Sequence, residues 1–199
     1  MLKAMKLILA SASPRRAEIL RNAGFAFEVY PTGVDETRLS GESAENYVLR
    51  LAHRKARSAA ECAARKHDRA IVIGADTAVV VAAQILGKPA GVEDARRMLR
   101  LLSGQTHEVL TGLSFIAIPE GPESSYVQST RVSFLAISEE DIDKYLNTGE
   151  PFDKAGAYGI QGIGGRFVWR IEGCYFNVMG LPISRVWSTL HTFGWDDMK

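Results

Sequence analysis

The stretch Lys6-Leu7-Ile8-Leu9-Ala10-Ser11-Ala12-Ser13-Pro14-Arg15-Arg16-Ala17-Glu18-Ile19-Leu20 decides the fold. Its apolar run suits a buried strand and breaks at Ser11. Ser13-Pro14 then reads as a helix N-cap followed by proline at the first helical position, so the turn runs from strand to helix. At that helix start the N–H groups of Arg15 and Arg16 lack intrahelical partners and carry the positive end of the dipole. Two serine hydroxyls and two guanidiniums therefore gather around an anion-shaped space, which reads as a phosphate site. Guanidiniums make paired hydrogen bonds to phosphate oxygens that a lysine cannot, so adjacent arginines behind a glycine-poor turn point to a polyphosphate rather than a dinucleotide. Neither G-x-x-x-x-G-K-[ST] nor G-x-G-x-x-G occurs in the chain. The plainer reading of the same residues is a capped helix with two arginines in solvent, and the rest of the chain must decide between them.

With 199 residues, 46% hydrophobic and 24% charged, the sequence suits one soluble globular domain, or two lobes sharing a sheet, with a sizeable core. A formal net charge of +1 gives no global attraction to nucleic acid or anionic membrane, so any anion binding is local. Cys62 and Cys174 match no metal-ligand or redox spacing and read as free thiols in a reducing compartment. The lead-in Met1 to Lys6 has no apolar segment long enough for a signal peptide, and no 18-residue apolar span follows. These features predict a cytoplasmic protein that binds neither nucleic acid nor membrane.

Gly24 ends the first helix, and Phe25 to Val29 alternates into a short strand leading to the loop Pro31-Thr32-Gly33-Val34-Asp35-Glu36 with its adjacent carboxylates. A long helix from a Ser43 cap to about Arg65 follows, and its Arg50, His53, Arg54, Lys55 and Arg57 read mostly as a solvated basic face. Ala70 to Ala75 is a buried-strand pattern ending in Asp76-Thr77, with Val79 to Val81 extended beyond. Aspartate is costly to bury unpaired, and ligands of open α/β sheets collect at the carboxyl ends of strands, so Asp76 is the leading candidate for a functional carboxylate.

Lys88 falls in a turn, and a helix is expected from about Val92 to Leu102. Residues 106–118 and 126–137 form an expected antiparallel hairpin, which makes the sheet mixed. A short helix capped by Ser138 ends near Gly149. The loop from Gly149 to Gly162 mixes charged, glycine and aromatic residues, as functional loops on rigid scaffolds do. Gly162-Ile163-Gly164-Gly165 reads as a turn. Strands are expected at Arg166 to Ile171 and at Tyr175 to Val178, then a last helix opened by Pro182. Trp169, Trp187 and Trp195 are expected in the core or at an interface. The histidines His53, His67, His107 and His191 show no metal spacing.

Several separated motifs together resemble one family over nearly the whole chain. They are Ala10-Ser11-Ala12-Ser13-Pro14-Arg15-Arg16, Gly74-Ala75-Asp76-Thr77, Gly87-Lys88-Pro89, the run from Leu102 to Val109, and the run from Asp153 to Gly162. In this order they are similar to the Maf (septum formation inhibitor) family of nucleoside triphosphate pyrophosphatases. The resemblance implies an α/β fold in a single domain over residues 1–199, two-lobed, with a central mixed, twisted sheet flanked by helices and a nucleotide cleft, similar to inosine triphosphate pyrophosphatases. It implies hydrolysis of dTTP and UTP to monophosphate and pyrophosphate, because Tyr158 and Gln161 match the pyrimidine subgroup rather than the one associated with 7-methyl-GTP. It also implies roles in removing non-standard nucleotides and in cell division arrest, and a homodimer.

By the same resemblance Asp76 is the acidic active-site residue and Glu36 a second carboxylate near a metal, with Asp35 beside it as competitor. Arg15, Thr77 and Gln161 fall at positions tied to substrate choice, and Ser11, Arg16, Lys55 and Lys88 at positions that face phosphates. A triphosphate carries about four negative charges near neutral pH, so the four cations and a hard divalent ion, Mg²⁺ or Mn²⁺ on Asp76 and Glu36, would neutralise it. Asp76 can act as base, as metal ligand, or as both. Gln161 offers donor and acceptor to a pyrimidine edge, and Tyr158 is expected to pack beside the ring. Two rivals stand. One is an aspartyl phosphohydrolase, in which Asp76 would form an acyl phosphate, although Ala78 occupies the place of its usual second aspartate. The other is a regulator of cell division that binds nucleotide or protein without turnover.

Overall fold

The computed structural model describes residues 5–195. The expectation about a leader segment rests on Met1 to Lys6, of which Met1 to Ala4 lie outside the described residues. The chain divides into two compact units, one of Met1–Asp76, Thr111–Gln128 and Gly180–Lys199, the other of Thr77–Leu110 and Ser129–Met179.

In the first unit β1 (Lys6–Ala10) leads into α1 (Pro14–Asn22), and β2 (Glu28–Val29) and α2 (Ala44–Ala63) follow. β1 lies parallel to β2 and to β3 (Ala70–Val81), with Ile8 opposite both Glu28 and Val72. Strands held between neighbours and covered on both faces are apolar throughout, which is why Leu7 to Ala10 and Ala70 to Ile73 are all buried. α2 covers this part of the sheet with Ala56, Ala59, Ala60 and Ala63 against Ile8, Ala10, Val72 and Ile116. Alanine on the helix and glycine on the strands bring the backbones close. A Cβ on Gly74 of β3 would lie 2.1 Å from the Ala52 carbonyl oxygen, and one on Gly112 of β5 (Thr106–Ile118) would lie 2.3 Å from that of Val48.

The second unit continues β3 into β4 (Gln84–Leu86), then α3 (Val92–Leu102), the remaining part of β5, and β6 (Glu123–Phe134), α4 (Glu139–Leu146), β7 (Val168–Glu172) and α5 (Tyr175–Val178). Its core joins Val79, Leu86, Leu99, Leu102, Phe134 and Tyr145. α6 (Ile183–Thr192) returns to the first unit. The strand order is β2-β1-β3-β5-β6-β7, with β4 paired to β3. Parallel pairs at β1 and antiparallel pairs at β3–β4 and β6–β7 make the sheet mixed, as expected. Among the described residues no helix is long and apolar enough to cross a membrane.

Several expectations are corrected. Phe25 is not in a strand: with Gly24 at φ 83°, the Gly24 and Phe25 amides donate to the carbonyls of Arg21 and Leu20, a helix-closing motif that shortens β2 to two residues. Ser13 takes the N-cap position of α1 without a side-chain capping bond, and its amide donates instead to Ser11 Oγ at 3.2 Å. β3 does not end at Asp76 but runs on to Val81, then reverses through Ala82 and Ala83, at φ 47° and 59°. That conformation is usually left to Asn-Gly, so the hairpin to β4 had no turn signal. Tyr175 to Val178 is a helical turn rather than a strand. Its Asn177 is fully buried and donates from Nδ2 to the Val109 carbonyl at 2.9 Å and to Thr130 Oγ1 at 3.0 Å. Trp169 and Trp187, expected in the core or at an interface, are exposed, which removes the core alternative for both.

Candidate active site

The first unit gathers a carboxylate, an ammonium and a second carboxylate. Asp76 sits in mid-strand, buried, and Lys55 reaches it from α2: Nζ lies 2.6 Å from Asp76 Oδ1 and 2.6 Å from Glu36 Oε1. Seating α2 on Gly74, two residues before Asp76, brings the lysine this close. A buried charge requires a partner, and an aspartate so paired is compatible with an uninterrupted strand. The Glu36 arm is different in kind, since its side chain keeps 56% of its surface exposed, so the cluster runs from buried Asp76 outward to solvent at Glu36.

Glu36 is placed by the face of α2 that the sequence suggested was solvated. Tyr47, Arg50 and Arg54 follow helical spacing. Tyr47 Oη donates to the Glu36 carbonyl at 3.1 Å, Arg50 to the Thr37 carbonyl at 3.1 Å, and Arg54 to the Asp35 carbonyl at 3.2 Å. The Arg50 fork also grips Glu42 at 2.6 and 2.8 Å and holds its carboxyl down at about 2. Arg57 pairs with Glu123 and His53 with Ser114. The basic cluster thus staples an acidic loop to the helix. Asp35 turns away, accepting from its neighbour's amide at Thr37, so Glu36 and not Asp35 joins the cluster. Burial raises the Tyr47 hydroxyl pKa, and the negative charges of Asp76 and Glu36 raise it further.

Arg16 is buried beside this group. Its Nε donates to the Gly180 carbonyl at 2.8 Å, and its Nη1 to the Ala75 carbonyl at 2.9 Å and to Ser11 Oγ at 3.1 Å. It therefore ties the strand residue next to Asp76 to the Ser11 turn. Burial lowers its pKa while the Asp76 charge opposes that shift. Arg15 is only half-buried, and its charge is felt at Arg16.

The other sequence-selected residues belong to the second unit. Thr77 follows Asp76 in β3 and is half-buried; Lys88 is exposed in the turn after β4, where the Gly87 carbonyl accepts from the Gly156 amide at 3.0 Å. Gln161 is exposed on the loop between two 3-10 turns, Ala155–Ala157 and Ile163–Phe167. Tyr158, expected beside a base, is packed within its own unit. It is buried edge-on against Phe134 and His107, with its hydroxyl 2.8 Å from His107 Nε2. Burial drives the Tyr158 hydroxyl pKa upward and pulls His107 down to about 4.

Two hard carboxylate oxygens meeting at one cationic centre fit the donor chemistry of a hard divalent ion that draws its other ligands from a substrate. Among the described residues no group of three or more His, Cys, Asp or Glu side chains could hold a metal. The residues missed by sequence reading are Tyr47, Arg50 and Arg54. Their only signal was helical spacing opposite an acidic loop.

A family model described as Maf-like protein matches residues 6–193 of this chain. The chain belongs to the Maf-like family. Its Maf-like relatives include proteins named dTTP/UTP pyrophosphatase. The one from Koribacter versatilis (strain Ellin345) is 52% identical over 192 residues, 96% of this chain and 95% of that protein. Those from Vibrio cholerae serotype O1 and Clostridioides difficile (strain 630) are 49% and 48% identical, covering 94% and 95% of this chain and 98% and 95% of theirs. The structure of the Staphylococcus aureus Ham1 protein aligns over 94% of this chain and 98% of that one, at 12% identity and a TM-score of 0.48.

Proposed function

We propose that this Maf-like protein is a pyrophosphatase that hydrolyses dTTP and UTP to the nucleoside monophosphate and pyrophosphate. The observation that carries the reading is the buried Asp76 carboxylate with Lys55 Nζ at 2.6 Å and Glu36 on the solvent side of the same ammonium. The names of relatives about half identical to this chain support the same chemistry.

In this reading water attacks the α-phosphorus, the bond from that phosphorus to the bridging oxygen breaks, and pyrophosphate departs. Asp76 orients the water and takes its proton, and Lys55, paired with that carboxylate at 2.6 Å, adds positive charge for phosphate oxygens. Arg16 and Ser11 fix the backbone around Asp76 and supply further positive and hydroxyl character. Asp76 and Glu36 would hold Mg²⁺ or Mn²⁺, which when bound supplies charge neutralisation to the triphosphate. Lys88 serves the phosphates, and Arg15, Thr77 and Gln161 serve substrate choice, as the family resemblance implies. A cytoplasmic homodimer that removes non-standard nucleotides and influences cell division belongs to the same reading.

The test is a panel of nucleoside triphosphates with Mg²⁺ or Mn²⁺, scored for pyrophosphate against orthophosphate. Pyrophosphate from dTTP and UTP, lost in Asp76→Asn and on chelation with EDTA, is the expected result. Orthophosphate from many phosphomonoesters would favour the acyl-phosphate rival, and no turnover of any nucleotide would favour a binding protein.

A further inference from the structure

The glycine-rich run Gly159-Ile160-Gln161-Gly162-Ile163-Gly164 has the look of a loop that wraps an anion, and an anion is already inside it. The Glu150 carboxylate accepts from the Ile163 amide at 2.8 Å, the Gly164 amide at 3.2 Å and the Tyr145 hydroxyl at 2.9 Å. The Tyr145 oxygen in turn accepts from the Gly159 amide at 3.2 Å. The loop is therefore tied on both sides of Gln161, whose own side chain is exposed.

The glycines fit this carboxylate and hydroxyl closely. A Cβ on Gly162 would lie 2.3 Å from Glu150 Oε2, and one on Gly164 would lie 2.6 Å from the Tyr145 hydroxyl. Lys154, which donates from Nζ to the Glu150 carbonyl at 2.7 Å, lies under Gly159, where a Cβ would meet its Cε at 2.7 Å. Three glycines are thus accounted for by one internal anion and its partners.

We propose that Glu150, with Tyr145, is a positioning residue for nucleotide discrimination: its carboxylate sets the conformation of the 159–164 loop and so the presentation of Gln161. This rests on the reading of Gln161 as a base-selecting residue given above. Burial pushes the Glu150 carboxyl upward, but the two loop amides, Tyr145 and Lys154 outweigh it and bring it below its ordinary value, so the loop closes around an ionised group.

The test uses the full chain with Glu150→Gln, which keeps size but replaces one acceptor oxygen with a donor amide, and Tyr145→Phe, which removes only the hydroxyl. Hydrogen exchange at the Ile163 and Gly164 amides is measured alongside kcat and KM for dTTP, UTP, dCTP and dGTP. We expect exchange at both amides to rise about tenfold or more in Glu150→Gln. KM for dTTP and UTP should rise about tenfold while kcat changes less than threefold, so the preference over dCTP and dGTP collapses. In a Gln161→Ala background Glu150→Gln should cost no further selectivity. Tyr145→Phe should show the same pattern more weakly.

Unchanged exchange overturns the anchoring claim whatever the enzyme acts on. Faster exchange with selectivity intact, or an equal loss of kcat on every nucleotide, overturns the link to discrimination. A wild-type protein that releases no pyrophosphate from any nucleotide overturns the functional reading and the discrimination claim together, while the exchange result still judges the anchor by itself.

Discussion

The backbone oxygen of Ala52 stands 2.1 Å from where a side-chain carbon on Gly74 would begin, so α2 rests on β3 with no room for a methyl group. This contact sets the height of the helix that carries Lys55. Gly74→Ala should force the two backbones apart, destabilising the protein by about 3 kcal/mol and lowering Tm by roughly 6–12 °C. Turnover should fall further than the unfolded fraction explains, because the lysine retreats from Asp76. Gly33→Ala, where a Cβ meets nothing within 4 Å, is the matched control and should stay within about 0.5 kcal/mol of wild type in urea unfolding.

Lys55 and Asp76 should respond unequally to substitution. Asp76→Asn leaves Lys55 with Glu36 still 2.6 Å away, so it should cost about 1 kcal/mol of stability while kcat falls about a thousandfold. Lys55→Met leaves the Asp76 carboxylate buried without its nearest cation and should cost about 3–5 kcal/mol. The double variant should be more stable than Lys55→Met alone, and chemical denaturation of all four proteins measures the coupling. A lysine that were merely another surface cation would give no such recovery.

How legible these features were in the sequence differs between the two ends of the cluster. Asp76 could be singled out because an acidic residue inside an apolar run needs a compensating partner, but the same reasoning ended the strand there, since nothing local announces a lysine 21 positions earlier. The long helix, its Ser43 cap, α3 and the β5–β6 hairpin were readable because periodicity and capping are local signals. Arg54 is exposed, as the solvated reading expects, but Arg50 is largely covered, and neither one's hold on the loop is legible, because their acceptors are main-chain carbonyls and carbonyls leave no mark in a sequence. The ring contacts of Tyr158 are not legible either, since its partners Phe134 and His107 are each remote in the chain.

His107 should make the protein sensitive to mild acid. Burial holds it near 4 in the folded chain against an ordinary 6.5, so between those values the unfolded chain binds the extra proton. Stability from this group is complete above about 6.5 and is lost as pH falls toward 4, by up to about 3 kcal/mol. His107→Gln, which can still meet the Tyr158 hydroxyl but does not titrate there, should flatten the difference in unfolding free energy across that window. Urea denaturation of both proteins at pH 7, 5.5 and 4.5 reads it directly, and parallel curves would mean that His107 titrates alike in both states.

Arg16 offers a choice between a phosphate ligand and a brace, and the two make different kinetic signatures. Its Nε and Nη1 are committed to the Gly180 and Ala75 carbonyls and to Ser11 Oγ, so at least these two nitrogens hold the chain rather than point at a ligand. A lysine in its place keeps the charge but has one nitrogen where the guanidinium uses two, so the Gly180 and Ala75 carbonyls cannot both keep the donors that Nε and Nη1 give them. Arg16→Lys should therefore destabilise the protein by about 2–4 kcal/mol and lower kcat about tenfold or more, because Ala75 adjoins Asp76, while KM for the triphosphate moves less than threefold. Were phosphate binding its main task, the ordering would reverse, with KM rising tenfold or more and kcat nearly kept. Steady-state kinetics on dTTP at a temperature where the variant remains folded separates the two outcomes.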